Sequence, residues 1–392
     1  MNSFDRVISP TVSRQQSERS TDLKDVFTHD APIFVAVGRN RSYTITENGV
    51  LWHWGVQQNL PVNCRVSQDG SPVSVMEDVV FVSAGGSHTM AITSDGVLWG
   101  WGENLFGQLG DGTRYGSDGT IFTNQTIPVP ILENVTYVSA GARHTMAITD
   151  DGILWGWGHN AYGQLGIGTA GYIYSEHAFV LRPVPIMENV RTVSAASSHT
   201  MAITFDEELW GWGSNRSANL GIGVENVNRD DERLNEGFRL TPILVMENVT
   251  GVSAAYTHTM AVTSDGSLWA WGGNNQGRFI DSEVLWFPAP VQIMEGIDYV
   301  CISWGSTRAV DTAGNLLAWG DNRSGRVGDG TTERRLTPVI ILENIVAVSS
   351  GDGSHNFAID SDGVLWAWGS NRNKTLGDGS DAEYRSYPIR LN

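Results

Sequence analysis

Short apolar runs separated by turn residues recur along the chain, and no segment holds a sustained helical period. The second copy shows the pattern: Val80–Ala84, then His88–Thr93, then Val97–Gly102, broken by Gly85-Gly86 and by Asp95-Gly96. β-prone runs around Asp-Gly predict hairpins, because Gly adopts the backbone angles of that turn without strain. Asp151-Gly152, Asp265-Gly266, Asp362-Gly363 and Asn48-Gly49 repeat the signal, whereas Glu207 stands where Gly is expected, so that turn is expected to differ. Each copy closes on a Pro-rich strand such as Pro128–Leu132, which suits a sheet edge because Pro cannot donate to a ladder.

The third run of each copy carries Leu-Trp-x-Trp-Gly. Its first Trp falls at Trp52, Trp99, Trp155, Trp210, Trp269 and Trp366, with Leu317 in the sixth copy, at spacings of 47 to 59 residues. Repeats of that period build propellers or solenoids. Residues two apart share a strand face, so Trp99 and Trp101 project together. Burying an indole removes roughly 150–250 Å² from water, about 4–6 kcal/mol as an upper bound. Thirteen of the fifteen tryptophans lie in this pentapeptide, so they are packing groups first. The expected fold is all-β, a seven-bladed propeller over residues 31–392 with the ring closed by N- and C-terminal strands. Tyr387–Asn392 copies the closing strand and is expected to complete a blade begun near the N-terminus.

Residues 1–30 are polar and outside the repeat, which predicts a disordered leader. A bacterial leader for export without a signal peptide is the alternative. Formal charge is −18, with 25 basic against 43 acidic residues, so no nucleic acid or anionic membrane partner is expected. No apolar run is long enough to span a bilayer, and membrane insertion is not expected. The two cysteines, Cys64 and Cys301, cannot form a disulfide framework, which fits a reducing, cytoplasmic compartment.

Ala-Gly-x-x-His-Thr followed by Trp-Gly-x-Asn-x-x-Gly-Gln-Leu-Gly resembles the repeat of the regulator of chromosome condensation family. His88, His144, His199, His258 and His355 match its histidine. The resemblance covers residues 33 to 392 and implies a seven-bladed propeller. Arg41 and Ser306 depart from it at the histidine, and copy five reads Gln276-Gly277-Arg278-Phe279. The founding member exchanges nucleotide on the small GTPase Ran and binds chromatin. Plant UV-B photoreceptors are similar but carry Trp two residues before the histidine. Here that position holds Gly86, Ala142, Ser197, Tyr256, Trp304 and Gly353, so light sensing is not expected.

Five recurrent histidines on different blades lie around a ring and do not converge, so each is expected to bond loop backbone and no metal or cofactor is expected. Glu77, Glu133, Glu188, Glu247, Glu295 and Glu343 read as turn residues of the repeat. No catalytic residues are assigned. Departures from the repeat lie in four long connections, 113–127, 169–182, 224–241 and 279–287, which leave the same point of the cassette and should share one side of the ring. They carry Tyr115, Phe122, Tyr172, Tyr174, Phe179, Phe238, Trp286 and Phe287 as candidate partner-binding residues. Alternatively, these aromatics fold onto blade edges. Asp230-Asp231-Glu232 reads as a solvated run. The leading reading is a monomeric, non-enzymatic scaffold binding a partner protein through one propeller face. The second is guanine-nucleotide exchange on a Ran-like small GTPase, as a bacterial effector. A hydrolase or lyase in the central funnel lacks a converging residue set.

Overall fold

The computed structural model describes residues 31–55, 72–114, 125–171, 175, 178–223, 237–274, 277–279, 284–351 and 354–391. Among the described residues, twenty-eight strands form seven four-stranded antiparallel sheets, each ordered as it runs in sequence. We label the strands of a blade a to d. Blade 1 is Pro32–Val37, Ser42–Thr46, Leu51–Trp54 and Val73–Met76. Blade 2 is Val79–Ala84, His88–Thr93, Leu98–Gly102 and Gln125–Leu132, and blades 3 to 6 follow the same plan. Blade 7 is Ile345–Ser350, His355–Asp360, Leu365–Ser370 and Tyr384–Arg390. The expected all-β seven-bladed ring is therefore present.

Successive a strands touch around the whole circle, including those of blades 7 and 1, and so line the axis. The d strands form the rim, each paired only to its c strand, and Pro128 and Pro130 sit on that edge. Pairing of His88 with Gly102, and of Gly102 with Gln125, puts the a–b and c–d connections on one face, here the upper. Pairing of Thr93 with Val79 and of Leu98 with Leu132 puts the b–c hairpins and the connections between blades on the other, here the lower.

One expectation about closure is corrected. The C-terminal strand Tyr384–Arg390 pairs with Leu365–Ser370 in its own blade, and among the described residues no sheet mixes strands from the two chain ends. Each blade is instead a complete meander, and closure comes from blade 1 packing its a strand onto the a and b strands of blade 7. Val35, Val37 and Trp54 there share an apolar cluster with Phe357, Ile359 and Leu376. Each of the seven apolar clusters likewise draws on two adjacent blades, so the core is distributed over seven joints.

The second Trp of each pentapeptide is buried in such a joint, while the first is half-buried toward the lower face. Glycine makes room where Cβ could not fit. A Cβ on Gly110 (φ +81°) would lie 2.6 Å from Trp157 Nε1. One on Gly85 would lie 2.3 Å from the Gly141 carbonyl of the next blade. The hairpin at Glu207 also corrects its expectation. Glu207 takes φ +62°, and its N–H donates to Thr204 O at 3.1 Å, as Gly152 does to Thr149 O. The turn keeps its shape and the side chain bears the strain.

Candidate partner-binding face

Among the described residues, six of the seven joints, all but that of blades 1 and 2, are tied by one backbone carbonyl in the c–d turn, and the turn is built to present it. In blade 2 the Asn104 side chain accepts from Leu109 N at 3.0 Å and donates to Thr113 O at 3.1 Å, folding Gly107–Gly110 into a tight turn. The Gln108 carbonyl then accepts from Trp157 Nε1 (3.0 Å) and Thr145 Oγ1 (2.7 Å) of blade 3. Gln164 serves Trp212 and Thr200 in the same way, and Asn219 serves Trp271 and Thr259. At the closing joint Thr375 O accepts from Trp54 Nε1 at 2.9 Å and Ser42 Oγ at 2.7 Å.

Four of the five repeated histidines complete this joint through a hydroxyl of the next blade and not through loop backbone as expected, while neither ring nitrogen of the buried His258 has a hydrogen-bond partner among the described residues. His88 Nε2 meets Thr145 Oγ1 at 2.8 Å, His144 meets Thr200 at 3.0 Å, His199 meets Thr259 at 3.1 Å, and His355 meets Ser42 Oγ at 3.0 Å. Each hydroxyl proton is committed to the carbonyl, so Nε2 must carry the imidazole proton. Burial pushes His88, His144 and His199 down to about 3, with neighbouring cationic or imidazole groups adding to it at His88 and His144. These are neutral structural groups.

Two blades lack the histidine; in one an arginine crosses the joint, and in the other an arginine braces the c–d turn of its own blade. Arg41 of blade 1 donates to Gly85 O (3.1 Å) and His88 O (2.7 Å) of blade 2. In blade 6 Ser306 takes the histidine's place and the buried Arg308 donates to Arg326 O at 2.7 Å.

The eight candidate aromatics separate. Tyr115, Phe122, Tyr172 and Tyr174 lie outside the described residues, as does Asp230-Asp231-Glu232. Phe179 and Phe238 begin d strands and rest on the turn aromatics of the preceding blade, Phe106 at 6.1 Å and Tyr162 at 5.5 Å between ring centroids. Arg114 and Arg216 cover those rings at 4.2 and 4.8 Å. Phe287 packs on Phe279 at 5.5 Å within the joint of blades 5 and 6. Trp286, at the start of the same d strand, is 48% exposed.

Trp286 is one of several exposed apolar residues at the upper ends of blades 5 and 6. Val284, Leu285, Tyr256, Trp304 and Leu336 join it, each between 41% and 65% exposed. The c–d turn of blade 5 holds these parts together. Asn274 N donates to Leu285 O at 2.7 Å, and Arg278 donates to Thr257 Oγ1, next to Tyr256, at 2.9 Å. A Cβ on Gly277 would lie 2.4 Å from Leu336 of blade 6. Tyr256 and Trp304 occupy the a–b position that is Arg39, Gly86, Ala142 and Ser197 elsewhere. That contrast was available in the sequence, as was the departure of copy five at Arg278-Phe279 and of copy six at Ser306 and Leu317.

Two profiles, each described as Regulator of chromosome condensation (RCC1) repeat, match the chain. One covers residues 79–108, 135–164, 190–218, 249–278 and 345–374. The other covers 95–148, 151–203, 206–262 and 313–359, more than half of the chain. The chain belongs to the RCC1-repeat family of seven-bladed propellers. It is similar to the ultraviolet-B receptor UVR8 of Arabidopsis thaliana, 32% identical over 181 residues, 44% of this chain and 36% of that protein. It is also similar to protein pim1 of Schizosaccharomyces pombe, 32% identical over 155 residues, 37% of this chain and 28% of that protein. The matched stretches thus span about a third of these relatives. Among solved structures, human WBSCR16 superposes with a TM-score of 0.67 at 18% identity, covering 82% of this chain and 84% of that one. Prp20p of Saccharomyces cerevisiae, described with its binding to Gsp1p and histones, gives 0.67 at 18% identity, covering 82% and 80%.

Proposed function

We propose that the protein is a non-enzymatic scaffold that captures a partner protein on the upper face of blades 5 and 6. The carrying observation is the exposed set of Tyr256, Val284, Leu285, Trp286, Trp304 and Leu336 on the two blades that depart most from the repeat. Aromatic groups held on a rigid scaffold lose little freedom on binding, and such groups anchor protein interfaces. The recurrent histidines are buried in the joints. The partner class is a folded protein, with a small GTPase as the narrower reading, since Prp20p, which shares the fold, is described with its binding to Gsp1p.

The test is parallel capture from the native host with the wild-type chain and with the Tyr256→Ala/Trp286→Ala/Trp304→Ala variant, read by mass spectrometry. A species held by the wild type and depleted about tenfold with the variant, at unchanged melting temperature, supports the reading; tenfold corresponds to about 1.4 kcal/mol. Equal capture by both proteins sinks it. If the captured species is a GTPase, faster release of labelled GDP with catalytic amounts of the protein separates exchange from simple binding.

A further inference from the structure

Charge is segregated between the faces. Among the described residues, only Arg191 and Arg390 bring a Lys or Arg side chain to the lower face, and the Arg191 guanidinium donates to the Val249 and Thr250 carbonyls. The carboxylates of the hairpins and of the connections between blades all lie there. Asp95, Asp151 and Asp265 are held below the usual carboxylate range, first by a hydrogen bond from a neighbouring Thr hydroxyl and then by backbone N–H groups, so this charge persists in mild acid.

The same face carries apolar surface. Every a strand has a register shift at its second residue, which is extruded at the lower mouth of the axis. In the adjacent blades 7, 1 and 2 that residue is Val346, Ile33 and Val80, between 47% and 67% exposed. The other blades place Thr136, Arg191, Thr250 and Asp298 there, so the apolar arc is confined to three neighbours. Blade 2 also borders an open groove of about 580 Å³ against blade 3. Pro130, Ile131 and the half-buried Trp155 form its apolar part, and Glu133, Asp150 and Asp151 its rim.

We propose that the lower face docks a basic segment of a partner polypeptide, with Lys or Arg in the groove beside Trp155 and apolar residues on the arc. An indole flanked by carboxylates suits a cationic side chain, which gains from the ring face and from the opposite charge together. Nucleic acid and anionic lipid are repelled by the same carboxylates. This surface is on the opposite side of the ring from the aromatic patch and does not depend on it.

The experiment uses the full chain and two short fluorescein-labelled peptides of equal positive charge, one of Arg, Lys and Leu, one of Lys and Gly. Fluorescence anisotropy is read at low and at physiological salt. The Leu-containing peptide should bind more tightly and keep measurable affinity at physiological salt. Glu133→Gln/Asp150→Asn/Asp151→Asn should weaken it about tenfold, and Val80→Ser/Val346→Ser should weaken it while leaving the Lys-Gly peptide unchanged. Tyr256→Ala/Trp286→Ala/Trp304→Ala should bind as the wild type does, which separates this surface from the upper patch. Equal affinity for both peptides, or no loss in the carboxylate variant, overturns the proposal and leaves only diffuse charge attraction.

Discussion

At the residue scale the fold rests on a three-part contact that a side-chain list does not reveal. A Thr hydroxyl and an indole N–H of one blade converge on a carbonyl of the blade before it, and a His donates to that Thr. Every donor of this buried contact is used, and leaving a buried hydrogen bond unmade costs about 1–3 kcal/mol. The histidines give this joint a pH dependence of definite sign. In the folded state His88, His144 and His199 titrate at about 3, whereas the unfolded chain protonates near the ordinary 6.5. Stability is therefore level above that value and falls as pH drops below it, because the unfolded chain takes up protons that the folded one refuses. Each histidine contributes up to about 1.4 kcal/mol per pH unit in that range. Urea unfolding between pH 6.5 and 5, before the carboxylates titrate, should show a steep loss, and His144→Gln should flatten the slope by that increment. A slope equal to that of the wild type would show that His144 is protonated within the fold. The five recurrent histidines were visible in the sequence as structural groups; their partner was not, because it sits on the next copy, some 57 residues on for His88.

At the element scale the sequence and the structure agree most closely in the b and c strands. The apolar alternation, Asp-Gly turns and paired tryptophans specify hairpins by local chemistry alone. The Glu207 hairpin shows where local reasoning stops. Neighbouring contacts hold the turn in its left-handed form although the residue has a Cβ, including a bond from Asn189 Nδ2 to Asp206 at 2.6 Å. A left-handed non-glycine residue costs roughly 1 kcal/mol. Glu207→Gly relieves that strain but costs about 0.4–1 kcal/mol in unfolded-chain entropy, so it is expected to raise stability by no more than about 0.5 kcal/mol. A chemical denaturation curve measures it, and a destabilised variant would mean the carboxylate makes a compensating contact. The candidate aromatics were the less legible part. Phe287 and Trp286 are adjacent in sequence, yet one packs into a joint and the other faces solvent, a distinction set by strand pleat and by Phe279 across the turn. Tyr256 and Trp304 were legible as departures at the position two residues before the histidine but not as binding candidates, because they lie in short loops and not in long ones.

At the scale of the whole molecule, the seven blades were legible from the repeat count, while the manner of closure was not. Resemblance of the last strand to the others predicted its type correctly and its neighbour wrongly, because strand pairing is set by the hairpin it follows. The joint between blades 7 and 1 uses the same bonds as the other carbonyl-tied joints, Trp54 and Ser42 onto the Thr375 carbonyl. Departures from the repeat cluster on blades 5 and 6, the blades that carry the proposed binding patch.

A ring of self-contained meanders, sealed by side chains and not by an exchanged strand, has no privileged starting point. Circular permutants opened between Asn134 and Val135, or between Asn248 and Val249, with the original ends joined by a flexible linker, should fold to the same propeller and melt within a few degrees of the parent. Opening the chain inside a hairpin, at Asp151-Gly152, should be far more damaging, since it severs one meander into two pieces. Circular dichroism with thermal melting of the three proteins would read this, and equal damage from all three cuts would show that the order of blades along the chain matters as much as their order in space.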